Sequence, residues 1–594
     1  MDGLKEAANR PAIMAAWRDG TREDPKPCRE QDKGKFEIIH RDGRARIGRL
    51  HTDHGILETP ALLPVINPNI RTIEPREMWD RYGIGALITN SYIIWKHEEL
   101  KSKAQKDGVH ELINYPGVIM TDSGTFQSYV YGDVEVGVEE IVEFQRSIGV
   151  DIATMLDVFS RPDMVESEVE KCVDETLARA QISVDTAQNT MLNGPIQGGV
   201  FKELREKSAM GMGKFDFSVH PIGGIVPVME QHRYKEYAKI MLSSLPKLPP
   251  NRPVHMFGCG HPMLFPMSIA LGADLFDSAA YALFARDGRL LTPWGTEKIA
   301  NLVDWPVTTP SIASLTPEEV RGMDGKERTK LLSKYNLEVT LAELARCKQA
   351  VRDGTIWRMA ERRSHQHPAL REAFLWLITN PSLGHISNIA KDEMILDEKL
   401  ASQETGSQKG AWESSWDWIV KSQTTPRKGG ESWGGKDTLV RPHIIAARHM
   451  MFTRWHSQNP TGAGSTDVLI LHGRSGPWRE RCDNLVTRLI HHAPGLEVMI
   501  LTPIGLMPYS LEDVNPYTHI VGPEWIWRSR PDLSLIREDL DKFSMGDRRI
   551  ITLDLKGDNL VDRAFSKLIE MEVLGDSVKD CLLYTSPSPR DSIR

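Results

Sequence analysis

The feature that most limits the fold of this chain is a regular alternation of short apolar runs and helix-like stretches that begins near Phe36. Alternation at this interval is typical of β/α units in a parallel sheet. Nearly every apolar run leads into Asp, Gln, Asn or Gly. Polar residues at the carboxyl ends of strands are typical of a (β/α)8 barrel with its site on that rim. The sequence therefore predicts an α/β fold with a TIM barrel over residues 36–305.

The predicted core strands follow an antiparallel-looking opening segment, FEIIH and ARIGRLHT. They are ALIT (86–89), GVIMT (117–121), DIATML (151–156), GPIQG (194–198), FSVHPI (217–222), VHMFG (254–258) and ADLF (273–276). Between them, VEEIVEFQRSIG places Ile141, Phe144 and Ile148 on one face and ends with the helix stop Gly149. An open doubly wound sheet is the alternative, but no GxGxxG turn follows a first strand.

Outside the barrel, the sequence predicts several shorter segments and one small domain. A flexible extension spans residues 1–35, and a helical segment spans 306–400, where Thr316, Pro317 and Glu319 form a helix start. A Gly-, Ser- and Lys-rich linker covers 401–437. A small α/β domain covers 438–578, with strands VLIL, VMILT and IITLDL and a helix over 480–491. Residues 579–594 read like a translated sequencing adapter, so we expect the true C-terminus to be missing.

Composition excludes several classes of protein. The net charge of -8 argues against a globally basic nucleic-acid coat. The six cysteines are far apart and lack CxxC spacing, which favours a reducing compartment over a disulfide framework. No apolar run is long enough to cross a bilayer, and no signal peptide begins the chain. These features predict a cytoplasmic protein without a membrane partner.

Two acids at predicted strand ends indicate glycosyl chemistry. Asp277 follows ADLF and precedes small residues that let a bulky group approach it. Asp122 follows GVIMT and lies beside Ser123 and Gly124. Two carboxylates that converge from distant strands can serve as a nucleophile and a proton carrier. Taken singly, an Asp after a strand is more often a turn former or a helix cap.

Several motifs in order resemble the tRNA-guanine transglycosylases, in particular the archaeal branch that begins archaeosine synthesis. They are TDSGTFQ (121–127), PIQGG (195–199), HPIGGIVPVME (220–230), FGCGHP (257–262) and LFDSAAYALFARDGR (275–289), and the similarity extends from about Phe36 to about Arg363. The resemblance implies exchange of a D-loop guanine of tRNA, at position 15, for 7-cyano-7-deazaguanine. Its partners would be tRNA and the two bases, and a homodimer is one open assembly state.

The resemblance also implies roles for individual residues. Asp277 matches the nucleophile that attacks the ribose anomeric carbon and leaves a covalent intermediate. Asp122 matches the acid/base and, with Ser123, lies in the base site. Asp157, Gln197 and Gly224 match positions that hold the 7-deazaguanine. A carboxylate such as Asp157 can accept hydrogen bonds from the N1–H and exocyclic amine of guanine.

Two departures from the family pattern leave alternatives open. Relatives hold a structural zinc ion with three cysteines and a histidine, but Val307, Thr309, Ile312 and Tyr335 align there, so we expect no cofactor or metal. The C-terminal region distantly resembles archaeosine synthase, yet HGRSGPWRERC (472–482) lacks the Cys and Lys expected of that motif. We see no RNA-binding PUA domain. The alternatives are a noncatalytic tRNA-binding subunit and an archaeosine-synthase-like enzyme.

Overall fold

A computed structural model describes residues 21–125, 136–378, 441–457, 467–473, 475–512, 520–528 and 533–555, with a few isolated residues between 418 and 438 and the pair 582–583. The chain divides into two compact units, Met1–Leu377 and Ile378–Arg594. The predicted linker 401–437 and tail 579–594 lie almost wholly outside the described residues, as does the extension up to residue 20. Among the described residues, no helix is both long and apolar enough to cross a membrane.

The first unit is built on eight parallel strands that form a TIM barrel. In chain order they are β4 (Ala61–Ile66), β5 (Ala86–Asn90), β6 (Val118–Asp122), β7 (Ile152–Thr154), β8 (Met191–Asn193), β9 (His220–Ile222), β10 (Val254–Met256) and β11 (Leu275–Ser278). Each strand pairs with the next, and β11 pairs with β4. Single bridges from Asn193 to Val219 and from Ile196 to Ile222 join β8 to β9 and close the barrel.

Helices between the strands cover the outside of the barrel. The main ones are Pro75–Asp80, Ser91–Lys96, Glu98–Asp107, Val138–Ser147, Glu166–Ala178, Ala180–Ala187, Lys202–Met212, Tyr234–Ser244, Phe265–Ala270 and Ala280–Arg286. The predicted face of Val138–Ser147 is confirmed, because Ile141, Phe144 and Ile148 are all buried. Gly149 follows with a φ of 71°, the left-handed conformation that ends a helix.

Two strand predictions were wrong. The first barrel strand, β4, was not predicted, because Pro64 interrupts its sequence ALLPVI. The strand predicted at 194–198 is instead β8 at Met191–Asn193, and PIQG forms the turn after it. The (β/α)8 fold itself is confirmed.

A three-stranded antiparallel sheet precedes the barrel. It consists of β1 (Phe36–Asp42), β2 (Ala45–Thr52) and β3 (Gly55–Thr59). The chain is in contact with the barrel before the predicted start at Phe36. Arg22 lies over the ring of Trp79 at 3.8 Å, and the Cys28 N–H donates to the Thr52 carbonyl. The part of the predicted extension from residue 21 onward therefore packs on the folded unit.

A hairpin and a helical segment complete the first unit. The hairpin is β12 (Arg289–Thr292) with β13 (Gly295–Lys298), and the helices are Pro317–Gly322, Gly325–Asp353, Ile356–Ser364 and Pro368–Ile378. The predicted helix start is confirmed. The Thr316 hydroxyl accepts the Glu319 N–H, and the Glu319 carboxylate accepts the Thr316 N–H.

The second unit is an α/β fold around β14 (Asp467–His472), β15 (Glu497–Thr502), β16 (Gly505–Pro508) and β17 (Arg549–Asp554). The sheet order is β16, β15, β14, β17, with the two-residue strand Leu582–Leu583 beside β17. The predicted strands VLIL, VMILT and IITLDL are present, and the predicted helix is Trp478–His492. The antiparallel strand β16 was not predicted. The carboxylate of Glu512 accepts the N–H groups of Trp478 and Arg479 and so caps that helix.

Candidate active site

All candidate site residues lie at the carboxyl ends of barrel strands. Asp122 ends β6 and Asp277 lies within β11, whereas Asp157, Gln197 and Gly224 follow β7, β8 and β9 within three or four residues. In a closed parallel barrel these ends converge on one rim. Neighbouring positions of the site are therefore contributed by neighbouring strands, although the residues are far apart in sequence.

Asp277 is a nearly buried carboxylate that is held on one side. Its side chain is 11% exposed, and its Oδ1 accepts the N–H of Gly258 at 2.8 Å. The Nε2 atom of His255 lies 2.8 Å from the same oxygen. Gly258 has a φ of 71°, and a Cβ there would lie 2.3 Å from Val226, so the turn that aims this N–H requires glycine.

Asp122 is the second acid and is suited to proton transfer. Its carboxylate accepts the side-chain amide of Asn90 at 3.0 Å and the Gly124 N–H at 3.3 Å. Burial, with a smaller effect of the neighbouring carboxylates of Asp157 and Asp277, raises the pKa of Asp122 to about 6 against these hydrogen bonds. A carboxyl with a pKa near neutrality can both give and take a proton. Asp157 and Asp277 are therefore close enough to Asp122 to act on it electrostatically.

Asp157 and Gln197 form a buried pair beside these acids. The Gln197 Nε2 donates to Asp157 Oδ2 at 2.6 Å, and Ser160 donates its N–H and hydroxyl to Gln197 Oε1 at 3.2 and 2.8 Å. Burial raises the pKa of Asp157, while the Gln197 bond opposes that rise. Gln197 therefore fixes the orientation of the Asp157 carboxylate, a role that the sequence did not reveal.

Gly224 contributes backbone at a place with no room for a side chain. Its φ is 71°, and an added Cβ would lie 2.7 Å from the Ser160 carbonyl oxygen and 3.3 Å from Gln197 Oε1. Beneath it, Arg205 is fully buried and donates to the carbonyls of Ile196, Gly199 and Gly223. Arg205 thus ties the turn after β8 to the turn after β9. Burial lowers its pKa to about 9.

Ser123 is fully buried, and its hydroxyl lies 3.2 Å from the hydroxyl of Thr125. In the part of the chain that the structure describes, all six predicted site residues therefore lie in one connected region. Sequence reasoning missed its supporting groups, which are Asn90, Ser160, Arg205, His255 and Gly258. Asn90 had a detectable signal, since it ends the predicted strand ALIT as Asp122 ends GVIMT.

The segment expected to replace the zinc site is filled by an apolar cluster. Ile312 and Tyr335 are fully buried in it and Val307 packs against it. Next to them, the N–H and hydroxyl of Ser311 donate to the buried carboxylate of Glu338 at 3.1 and 2.5 Å. Among the described residues, no group of three metal-ligating side chains lies in this segment. The four aligned side chains do not fit a zinc ion, which prefers thiolate and imidazole.

The barrel and its rim together define a class of enzyme. The Asp277 carboxylate, whose Oδ1 accepts the Gly258 N–H, acts electrostatically on Asp122, a second carboxyl with a pKa of about 6. The buried pair of Asp157 and Gln197 offers donors and acceptors that suit a base edge. This arrangement suits glycosyl transfer by double displacement.

Comparison with known proteins agrees with that class. Residues 42–369, more than half of the chain, match the family described as queuine tRNA-ribosyltransferase. The chain therefore belongs to this family, whose members are pentosyltransferases. The match includes all six candidate site residues.

Named relatives are similar over the same region. The chain is 47% identical over 347 residues to the tRNA-guanine(15) transglycosylase of Methanocaldococcus jannaschii, covering 57% of this chain and 53% of that protein. It is 44% identical over 344 residues to the protein of that name in Pyrococcus abyssi, covering 58% and 59%. The chain thus spans little more than half the length of these relatives.

A longer alignment extends past the barrel unit. The tRNA-guanine(15) transglycosylase of Methanococcus maripaludis strain C6 is 45% identical over 497 residues, covering 82% of this chain and 69% of that protein. Because the first unit ends at Leu377, this alignment includes part of the second unit.

Proposed function

We propose that this protein exchanges guanine 15 in the D-loop of tRNA for 7-cyano-7-deazaguanine, the first tRNA step of archaeosine synthesis. The observation that carries the proposal is the pairing at the rim: Asp277, whose Oδ1 accepts the Gly258 N–H and lies 2.8 Å from His255 Nε2, and Asp122, whose pKa is about 6. The named archaeal relatives support the choice of guanine 15.

The proposed reaction has two displacements. A free oxygen of Asp277 attacks C1′ of the ribose, and the bond from C1′ to guanine N9 breaks with its electrons on the base. Asp122 supplies the proton that the departing guanine takes up. The incoming base then gives a proton to Asp122, its N9 attacks C1′, and the ester to Asp277 is broken. Configuration is retained because inversion occurs twice.

Recognition of the base is assigned to the pocket beside the acids. The Asp157 carboxylate would accept the N1–H and amine that guanine and its 7-deaza analogue share, with Gln197 holding it in place. The backbone at Gly224 would face the base carbonyl, where a side chain would not fit. Before attack, the target nucleotide has to leave its stack, as for other enzymes that act on a base.

The setting proposed for this reaction is the cytoplasm, with tRNA and the two bases as partners. No zinc ion is required by the proposal, since the aligned residues lack ligands for one. A noncatalytic tRNA-binding subunit is the runner-up, motivated by those lost ligands. The presence of both acids, each with its supporting hydrogen bonds, argues against it.

The test is a base-exchange assay. The protein is incubated with a tRNA transcript and labelled guanine, and separately with labelled 7-cyano-7-deazaguanine, and incorporation into the tRNA is counted. A transcript with adenine at position 15 is the matched control. We expect incorporation of both bases into the first transcript only. Incorporation of neither base by a folded protein that binds tRNA would favour the noncatalytic subunit.

A further inference from the structure

His255 is a buried histidine that touches the candidate nucleophile. It lies in β10, next to β11, and its side chain is fully buried. Its Cα pairs with Leu275, so the side chain reaches forward along the neighbouring strand to Asp277. The Nε2 atom of His255 and the N–H of Gly258 both approach Asp277 Oδ1 at 2.8 Å. Two donors therefore converge on one oxygen of the carboxylate.

The other carboxylate oxygen is available for chemistry. Among the described residues, Oδ2 of Asp277 accepts no hydrogen bond, whereas Oδ1 accepts the Gly258 N–H and lies 2.8 Å from His255 Nε2. A carboxylate fixed in this way presents one defined oxygen to the ribose, which reduces the orientations that must be searched before attack.

The ring of His255 is arranged to act through Nε2. Its Nδ1 is buried and has no partner among the described residues. The ring of Phe257 packs edge-on against the imidazole at a centroid distance of 4.8 Å. An N–H on Nε2 lies close to Oδ1 but is not aligned with it for a full hydrogen bond. Such contacts commonly tighten when the substrate binds.

We propose that His255 is a positioning residue for Asp277 and that it stabilises the carboxylate as the covalent intermediate breaks down. This inference rests on the proposed function. In the second displacement, N9 of the incoming base bonds to C1′ while the C1′–O bond breaks, and the electron pair returns to the Asp277 carboxylate. The N9 proton goes to Asp122. Donors already placed at Oδ1 stabilise that returning charge.

Loss of the donor should therefore affect one step more than the others. In the first displacement, a donor at Oδ1 has two opposing effects on the rate of attack. It orients the carboxylate, which favours attack, but it also stabilises the carboxylate charge, which makes the nucleophile weaker. In the second displacement, it stabilises only the group that leaves. Removing the His255 donor should slow breakdown of the adduct by about tenfold to a hundredfold. This is no larger than the usual effect of removing one donor that stabilises a developing negative charge.

The experiment compares three variants with the wild-type chain. His255→Leu removes the donor, and His255→Gln places an amide N–H near the position of Nε2. His220→Leu is the matched control, because His220 is an equally buried histidine on the adjacent strand β9, near the Gly194 carbonyl instead of an acid. For each protein, tRNA affinity, melting temperature, adduct formation and adduct breakdown after addition of unlabelled guanine are measured.

We expect adduct to accumulate in His255→Leu because its breakdown slows, with tRNA affinity within about twofold of wild type, because that affinity comes mainly from phosphate contacts. His255→Gln should recover most of the breakdown rate, and His220→Leu should change only the melting temperature. If His255→Leu does not fold, the Gln variant decides, since a folded Gln variant with slow breakdown would contradict the donor role.

Failure of this inference can be told apart from failure of the proposed function. Wild-type breakdown in His255→Leu, with a normal adduct in the wild-type protein, would overturn the role of His255 alone. Absence of any adduct in the wild-type protein would overturn the proposed function on which it rests.

Discussion

At the scale of single residues, we predict that Asp122 sets the pH dependence of the proposed reaction. Its raised pKa, about 6, leaves it protonated in mild acid. Guanine departure uses that proton, so adduct formation should be fastest below pH 6 and should slow as the pH rises through that value. Single-turnover adduct formation between pH 5 and pH 8 measures this.

Substitution gives the matching prediction. Asp122→Asn should slow exchange by about a hundredfold to ten-thousandfold, the usual contribution of proton transfer, and should abolish the inflection near pH 6. A variant with a near-normal rate, or with an unchanged pH profile, would assign the proton to another group.

Arg205 carries a second prediction at this scale. It connects the turns after β8 and β9 through three backbone carbonyls. Arg205→Met would leave the Gly199 and Gly223 carbonyls without this donor, at about 1–3 kcal/mol for each lost partner, whereas the Ile196 carbonyl still accepts the Gly223 N–H. We expect a fall in unfolding free energy of at least about 2 kcal/mol and a raised KM for the base. Denaturant unfolding with exchange kinetics tests this, and an unchanged KM would show that the turns keep their shape without Arg205.

The sequence predicted the positions of the candidate reactive residues better than those of the residues that hold them. Asp122 and Asp277 stand directly after apolar runs, so their place at the rim could be predicted from the strand pattern. Ser160 contacts Gln197 across 37 residues, Arg205 contacts Gly223 across 18, and His255 lies beside Asp277 across 22. These contacts depend on turns and ring orientations that no sequence period encodes. Only the folded barrel brings these groups together.

At the scale of elements, a buried carboxylate connects the antiparallel sheet to the barrel. Asp151, just before β7, contacts His54 Nδ1 at 3.0 Å and His110 Nε2 at 3.1 Å. It also accepts the N–H groups of His54 and Ile119. Burial acts to raise the pKa of Asp151, but the bonds from His110 and His54 outweigh it and lower the pKa to about 2.

The signs of these shifts give a pH window. The ionised Asp151 stabilises the fold above its ordinary pKa, near 4, and this is lost as the pH falls toward 2. Burial lowers the pKa of His54, but Asp151 raises it more, so the net shift is upward. The stability contributed by protonated His54 is therefore complete below about pH 6.5 and is lost as the pH rises through the raised pKa. The connection should therefore be strongest between about pH 4 and pH 6.5.

The test is Asp151→Asn. We expect it to lower the unfolding free energy by about 3 kcal/mol, as for other broken buried ion pairs, with the largest effect inside that window and a smaller one at pH 9. Asp216→Asn, which removes an exposed partner of Arg252, is the control and should change little. Melting curves from pH 4 to pH 9 that differ by a constant amount would contradict the role of His54.

The segment after the barrel yields a prediction about metal. Val307, Ile312 and Tyr335 contribute to an apolar cluster, and Glu338 holds Ser311. Where a zinc site exists, metal binding is coupled to folding and chelation disrupts it. Here EDTA should leave the melting temperature unchanged, and elemental analysis should find no stoichiometric zinc. Zinc at one ion per chain would mean that other ligands, such as Cys347 or a nearby histidine, had been recruited.

Elements differ in how well the sequence predicts them. The helix start at Thr316 was predicted because a capping box is a local pattern of four residues. The strand β4 was not, because its proline and its buried apolar run resemble a connection as much as a strand. The position of β8 was also predicted wrongly, because a strand of three residues is too short to show a period.

At the scale of the whole molecule, closure of the barrel brings motifs that are far apart in the sequence to the same rim. The β8 and β9 turns meet through the bridge from Ile196 to Ile222, which brings Gln197 and Gly224 side by side. The class of fold could be predicted from the alternation of elements, and the convergence of the two acids could be predicted from that fold. The apolar character of Val307 and Ile312 could be read from the sequence, whereas the contacts that support the site required the three-dimensional arrangement.

The most direct test of the proposed function is to trap and locate the covalent intermediate. The protein is incubated with tRNA, the reaction is stopped by denaturation, and the tRNA-linked peptide is isolated and sequenced by mass spectrometry. We predict a sugar-linked peptide that contains Asp277, and no adduct from Asp277→Asn even though that variant still binds tRNA. A linkage to any other residue, or an adduct formed by Asp277→Asn, would contradict the assignment of Asp277 as the nucleophile.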